Sequence, residues 1–352
     1  MLHLHVYTSI LCCICISTRA YYAAFSCHFG NFWILLLGRL LGGTATSILF
    51  SAFESWLVYE HNSRGFSQDL LSTVFSHAVL GNSVVAILAG VVAQLAADSF
   101  GYVAPFDVAL TVLVVMCVVI VFTWTENYGD AKAAVTQSFV DGFKAIMSDR
   151  KILLLGLIQS LFEGSMYIFV LEWTPSLSQG SAKVPHGYVF AAFMVAVMIG
   201  SSIFKICSKR YSVEAFMRFV LAVAACSLAV PVFFLKHEWG QSLLFGAFIV
   251  FEMCVGMFWP SIGVMRGVYV PESARATIMN FFRIPLNLVV ILVLTQDLPI
   301  TTIFSFCVIL LFAAVICQQL LYMLVARGAV AKVISVPGDN ETVSLTSEEA
   351  KS

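Results

Sequence analysis

Apolar residues run through this 352-residue chain in long blocks separated by short polar connections. Ten blocks stand out, at about Val6–Tyr22, Trp33–Glu54, Leu70–Ala97, Pro105–Trp124, Ile152–Trp173, Gly187–Ile206, Val213–Phe234, Leu243–Met265, Ala274–Leu294 and Ile303–Val325. Each is long enough for a helix to cross a hydrocarbon core of about 30 Å. Helices close their own backbone hydrogen bonds in lipid, and nothing here alternates as barrel strands do. The pattern predicts an all-α polytopic membrane protein. The first block, MLHLHVYTSILCCICISTRAYY, has the position of a signal peptide. Its start lacks Lys and Arg and no small-x-small cleavage site follows, so it reads as a span.

Composition agrees with that pattern. The chain is 60% hydrophobic and 11% charged, where a soluble domain carries about 25% charged residues. A net charge of −1 leaves no basic patch for nucleic acid. The ten cysteines fall mostly within apolar spans and read as small buried hydrophobes. Cys12-Cys13-x-Cys15 has no second half at ligand spacing, and the seven histidines form no His-x-x-x-His pair. With no Gly-x-Ser-x-Gly elbow either, neither a metal, a cofactor nor a catalytic residue is expected, and the chain does not read as an enzyme.

Charge in the connections orients the spans. Arg64, Lys132, Lys144, Arg150, Lys151, Lys205, Lys209, Arg210, Arg266, Arg275, Arg327, Lys332 and Lys351 fall on one side. The other holds Lys183 and Lys236, with Arg19 near it. The positive-inside rule makes the first side, and both termini, cytoplasmic. The one long connection, Thr125 to Lys151, repeats Val135, Phe139, Phe143 and Met147 every four residues with Lys132, Asp141 and Lys144 between. That spacing predicts an amphipathic helix, either in the membrane interface or as a solvated linker. The expected organisation is a partial four-helix bundle over 1–124, the linker over 125–151, a six-helix bundle over 152–326 and a disordered cytoplasmic tail over 327–352.

Several spans carry polar residues that lipid would reject. A charge at bilayer depth costs roughly 2.5–3.5 kcal/mol on insertion scales. Arg39 and Glu54 lie in one span, within about 60° of each other at 100° per residue. Gly38 and Gly42 beside them form a small-xxx-small pattern that admits a neighbouring helix. Gln159, Glu163 and Tyr167 follow at i, i+4, i+8, and Asn280, Arg283 and Asn287 at i, i+3, i+7 with Pro285 between. Glu252 lies mid-way along another span, followed by Gly256, Trp259 and Pro260, while His77, Gly81 and Asn82 interrupt the third. Arg39, Glu163, Glu252 and Arg283 facing lipid would cost on the order of 10 kcal/mol together, most of a margin of about 5–15 kcal/mol. They are expected to face inward, around a wet cavity or as helix-locking Arg–Glu pairs. Guanidinium presents a planar fork of donors suited to oxyanions. Carboxylates there would serve as counter-charges or carry a coupling proton.

A set of short motifs gives these stretches a relative. GRLLGG (Gly38–Gly43), LFSAFESW (Leu49–Trp56), VAPFD (Val103–Asp107), WTENYGD (Trp124–Asp130), LLLGLIQSLFE (Leu153–Glu163), EWTP (Glu172–Pro175), SKRY (Ser208–Tyr211), FWPSIGVMR (Phe258–Arg266), VPES (Val270–Ser273) and MNFFRIPLN (Met279–Asn287) together resemble the molybdate-anion transporters of the major facilitator superfamily. The resemblance implies a twelve-helix fold of two six-helix bundles and uptake of molybdate across the plasma membrane. Against that plan the chain begins at the third helix, as an N-terminally truncated version. The helices bearing Arg39 and Glu54, Gln159 and Glu163, and Glu252 would be cavity-lining ones, with Arg283 on the family's eleventh. The expected carrier binds molybdate or a similar oxyanion through Arg39, Arg283, Gln159, Asn280 and Asn287. Glu54, Glu163 and Glu252 would act as coupling or counter-charge groups, with possible proton coupling. A sulfate carrier, or a receptor-like relative that moves no solute, are the alternatives.

Overall fold

The structure is a computed structural model describing residues 29–43, 57, 60–61, 64–66, 68–123, 135–179, 184–235, 240–271, 275–296 and 298–334. Its helices are α1 (Phe32–Gly43), α2 (Gln68–Phe100), α3 (Ala104–Thr123), α4 (Val135–Ser148), α5 (Arg150–Leu177), α6 (His186–Cys207), α7 (Val213–Phe234), α8 (Gly240–Tyr269), α9 (Arg275–Leu294) and α10 (Ile300–Ile334). Seven of the described helices carry a stretch long and apolar enough to cross a membrane, namely α2, α3, α5, α6, α7, α8 and α10. The shorter apolar stretches are α1 and Thr277–Val293 within α9. Residues 327–334, expected to begin the disordered tail, instead continue α10, whose backbone hydrogen bonding runs on past the apolar span; the expectations for the first block, for Glu54 and for the tail after Ile334 lie outside the described residues.

Local chemistry sets the helix ends. Asp149 stops α4 and starts α5, its carboxylate accepting from the Lys151 amide at 2.7 Å. Ser212 does the same for α7 through the Ala215 amide, at 3.3 Å. Such caps satisfy amides that the first helical turn leaves open. Gly101 ends α2 at φ 96°, a left-handed turn where a Cβ would be strained.

Helices α5, α7, α8, α9 and α10 enclose one continuous core. Phe162 on α5 stacks on Phe258 of α8 with ring centroids 3.8 Å apart. Phe169 lies 4.8 Å from Phe251 and 5.1 Å from Phe248, extending an aromatic column down the α5–α8 seam. Hydroxyls tie the neighbouring helices: Ser160 donates to the Phe282 carbonyl of α9 at 2.6 Å, and Ser165 to the Cys307 carbonyl of α10 at 3.3 Å. In lipid such bonds, with close backbone packing, hold helices together where the hydrophobic effect does not.

Small residues set the closest approaches. A Cβ on Gly200 of α6 would strike the Met253 carbonyl of α8, and one on Gly256 of α8 would strike the Val197 carbonyl of α6. The same device joins α2 to α6, where Gly90 and Gly187 meet backbone to backbone. Gln94 reinforces that junction: its Oε1 accepts from the Gly187 amide at 2.8 Å, while its Nε2 donates to both Asp98 carboxylate oxygens at 3.1 Å. The Gly187 amide, in the first turn of α6, has no partner in its own helix.

Helix α4 forms where the four-residue repeat predicts it. Gly142 lies against Thr277 of α9, Ile146 enters the core and Phe143 meets Phe281 with ring centroids 6.0 Å apart. Met147 stays exposed, so only part of the expected apolar stripe is used against protein.

Gly256→Ala forces a methyl into a backbone carbonyl and should cost roughly 1–3 kcal/mol or more. Gly263→Ala, on the same helix in open space, should cost nothing and is the matched control. Thermal unfolding of the detergent-purified protein checks this; equal melting temperatures for the two variants would mean the α6–α8 contact is not tight.

Candidate functional site

The polar stripe of α5 is split by packing. Gln159 and Glu163 are both buried, each about 5% exposed, whereas Tyr167 one turn further on is exposed. The Gln159 amide donates from Nε2 to Glu163 Oε1 at 2.7 Å. A carboxylate only accepts, so the NH2 end of the amide must face it. Gln159 Oε1 is left buried with no hydrogen-bond partner. The expectation that Gln159 donates to a bound anion therefore changes: here its donor is spent on Glu163, and the free end is an acceptor.

Burial is the largest influence on Glu163, the Gln159 hydrogen bond comes next, and Arg266 of α8 and Arg283 of α9 add weaker electrostatic contributions. Arg283 was expected; Arg266 was counted only among the loop charges that orient the spans. Its signal was present, because Glu252, Trp259 and Arg266 follow at i, i+7, i+14 and return to one face of α8 within about 40°. Burial explains why α5 presents Glu163 to this space. Phe162 locks into the aromatic column on one flank, and Gly156 admits the Phe282 ring of α9 on another.

On α9 the helix phases separate three faces. Ile278, Phe282 and Leu286 are buried. Asn280, Arg283 and Asn287 are exposed and lie within about 60° of one another at 100° per residue. Ile284, Leu288, Ile291 and Leu292 form a separate exposed apolar flank about 90° away. The apolar flank suits lipid. The polar sector, with Arg283 at the edge nearest the α5 contact, suits water or a solute.

The other sequence candidates are not gathered at this point. Glu252 is buried at 6% exposure, and the described residues give it no hydrogen bond and no charged neighbour; burial alone dominates its surroundings. It does not join the cluster of Glu163, Arg266 and Arg283. Arg39 is exposed on α1 without a hydrogen-bond or ion-pair partner among the described residues. Its expected companion Glu54 is outside them. The inward orientation expected of all four charges is thus met by burial only for Glu163 and Glu252. His77, Gly81 and Asn82 of α2 are exposed, and the polar residues of α2 that make described contacts are Gln94 and Asp98. A separate cleft of about 830 Å³ between α2, α3, α5 and α6 is lined by apolar groups apart from His186 and Trp173, which does not suit an oxyanion.

Comparison with known proteins bears on what this arrangement belongs to. A family model described as sugar transporters with twelve transmembrane segments matches residues 8–257. The molybdate-anion transporter of Xenopus tropicalis is 33% identical over 340 residues, covering 91% of this chain and 72% of that protein. That of Takifugu rubripes is 32% identical over 290 residues, covering 73% and 60%. The chain belongs to the molybdate-anion transporter family of the major facilitator superfamily. The resemblance carried by the short motifs holds at the level of family. Among solved structures, the nucleoside transporter NupG superposes with TM-score 0.67 at 14% identity, covering 89% of this chain and 82% of that one. A bacterial homologue of the human lysosomal transporter Spinster gives 0.53 at 11%, covering 89% and 80%. At those identities the likeness is one of fold. The protein is a multi-pass membrane transporter and not an enzyme.

Gln159→Leu removes the only described donor to a buried carboxylate. It should destabilise the protein by roughly 1–3 kcal/mol, and the double variant Gln159→Leu/Glu163→Leu should recover most of that loss. Melting temperatures across the double-mutant cycle test the pairing; strictly additive losses would show that the two side chains act independently.

Proposed function

We propose that this transporter moves molybdate, or a tetrahedral oxyanion of the same chemistry, across the plasma membrane by alternating access. The observation that carries the reading is the 33% identity, over 91% of this chain, to a protein named molybdate-anion transporter, supported by the buried polar pair Gln159–Glu163 inside α5. An anion entering the space beside Glu163 would take over the guanidinium forks from the carboxylate. Arg283 would hold it from α9 with Asn280 and Asn287 donating beside it, and Arg39 would meet it from the other half. Glu163 is the counter-charge that keeps the arginines compensated when the anion is gone, with Glu54 the corresponding group for Arg39. Glu252, buried without a hydrogen bond among the described residues, would have a separate role as a proton carrier. The termini would lie in the cytoplasm, as the loop charges suggest.

Proton coupling has a direct route through Gln159. With Glu163 ionised, the amide points its carbonyl away from the carboxylate, which disfavours an anion beside it. A protonated Glu163 can donate to the amide oxygen, so the amide turns over and offers its NH2 to the solute. Anion binding would then draw a proton with it. Uptake would rise as the external pH falls.

Molybdate uptake by cells expressing the chain, measured at several pH values with sulfate as competitor, tests the proposal. Arg39→Ala and Arg283→Ala should each lower uptake about tenfold or more at unchanged membrane abundance. Glu163→Gln should flatten the pH profile. Full uptake in both arginine variants would reject the clasp, and sulfate outcompeting molybdate would reassign the substrate.

A further inference from the structure

Arg218 of α7 lies outside the site described above. It sits five residues into α7, about 7.5 Å along the helix from Val213. Its Nη1 donates to Gln319 Oε1 of α10 at 2.6 Å, and the guanidinium carbon lies 4.0 Å from the centre of the Tyr322 ring. Both partners are neutral. Nε is buried with no acceptor, and among the described residues Arg218 has no carboxylate partner. Glu214, one turn earlier, is turned towards α8, where it accepts from the Tyr269 hydroxyl at 2.6 Å. A permanently charged guanidinium set among apolar side chains calls for an anion.

The surroundings specify which anion. Arg218 and Gln319 lie in a groove of about 680 Å³ between α7 and α10, whose walls are Phe219, Ile316, Leu320 and Met323. These four side chains are exposed, and α7 and α10 meet the rest of the core with their opposite faces. Arg218 and Gln319 lie within an open apolar channel on the flank of the bundle, with Ala215 and Met323 on one side of them along the helices and Val315 and Ile316 on the other. The Ala215–Met323 side is the one towards Lys209, Arg210 and Arg327. A soluble phosphate would have no use for the channel, and an acyl chain alone would leave Arg218 uncompensated. Basic crevices between helices near such a face are suited to anionic headgroups.

We propose that the α7–α10 groove is a binding site for one anionic phospholipid of the leaflet on the basic-loop side, with its phosphate on Nη2 of Arg218 and an acyl chain along Phe219, Ile316 and Leu320. The site would hold α7 against α10 and supply the missing counter-charge. It is independent of the substrate assignment.

Native mass spectrometry of the detergent-purified full chain, titrated separately with phosphatidylserine, phosphatidylcholine and inorganic phosphate, tests this. One phosphatidylserine should bind about tenfold tighter than phosphatidylcholine and raise the melting temperature, while inorganic phosphate should do neither. Arg218→Gln should bring phosphatidylserine down to the level of phosphatidylcholine. Ile316→Trp, an exposed position where the larger ring fills the groove and leaves the charge in place, should weaken both lipids, so the test stands even if Arg218→Gln fails to fold. Equal binding of the two lipids, unchanged selectivity in Arg218→Gln, full binding in Ile316→Trp, an equal thermal shift from phosphate alone, or a lipid-independent dimer that closes the groove would each overturn the proposal.

Discussion

A carboxylate held inside a bilayer must have its charge answered by protein, because lipid offers neither donors nor a high dielectric. Glu163 has one hydrogen-bond donor, the Gln159 amide on its own helix. Its position follows from the packing of α5, most extensively on α10 and also on α9 and α8. The Phe162–Phe258 stack fixes the rotation of α5 about its axis, and the serine-to-carbonyl bonds to α9 and α10 fix its height. Turning α5 by a fraction of a turn would bring Glu163 into a hydrocarbon environment and leave Arg283 unanswered.

The contact between α2 and α6 is built differently from the aromatic seam between α5 and α8. It rests on two glycines and a glutamine that reaches across to a backbone amide, with Asp98 orienting that glutamine. Backbone approach gives close van der Waals packing with little side-chain interlock. A junction of this kind can part and re-form with few rotamer changes, whereas the interdigitated phenylalanines between α5 and α8 cannot. The difference suits a transporter in which helices after the linker move together against those before it.

Charged groups in this protein fall into separate settings. Glu163 accepts from the Gln159 amide, Glu252 is enclosed without a hydrogen bond among the described residues, and Arg218 faces a neutral pair on the outer flank. Their chemistry follows from surroundings rather than residue type. A polar residue in an apolar span is expected to have a functional or structural partner, but the partner can be a side chain, a solute or a lipid.

Span positions were legible from hydropathy because crossing a bilayer needs about 20 apolar residues in a row; Val213–Phe234 was read to the residue, and Ile152–Trp173 lies inside the observed Arg150–Leu177. The i, i+4 spacing of Gln159 and Glu163 likewise predicted a shared face, since that follows from 3.6 residues per turn. Helical phase does not say which way a face points, and here the structure departed from expectation. Tyr167 left the buried stripe, Gln159 turned its donor inward to Glu163, Glu252 stayed apart from the arginines, and Arg266 came in from what had read as a loop. One-dimensional spacing determines what lies together on a helix. Which helices face one another, and hence which charges meet, depends on contacts such as Gly256 with Val197 and Gly156 with Phe282, made between residues far apart in the chain and settled only when the helices pack.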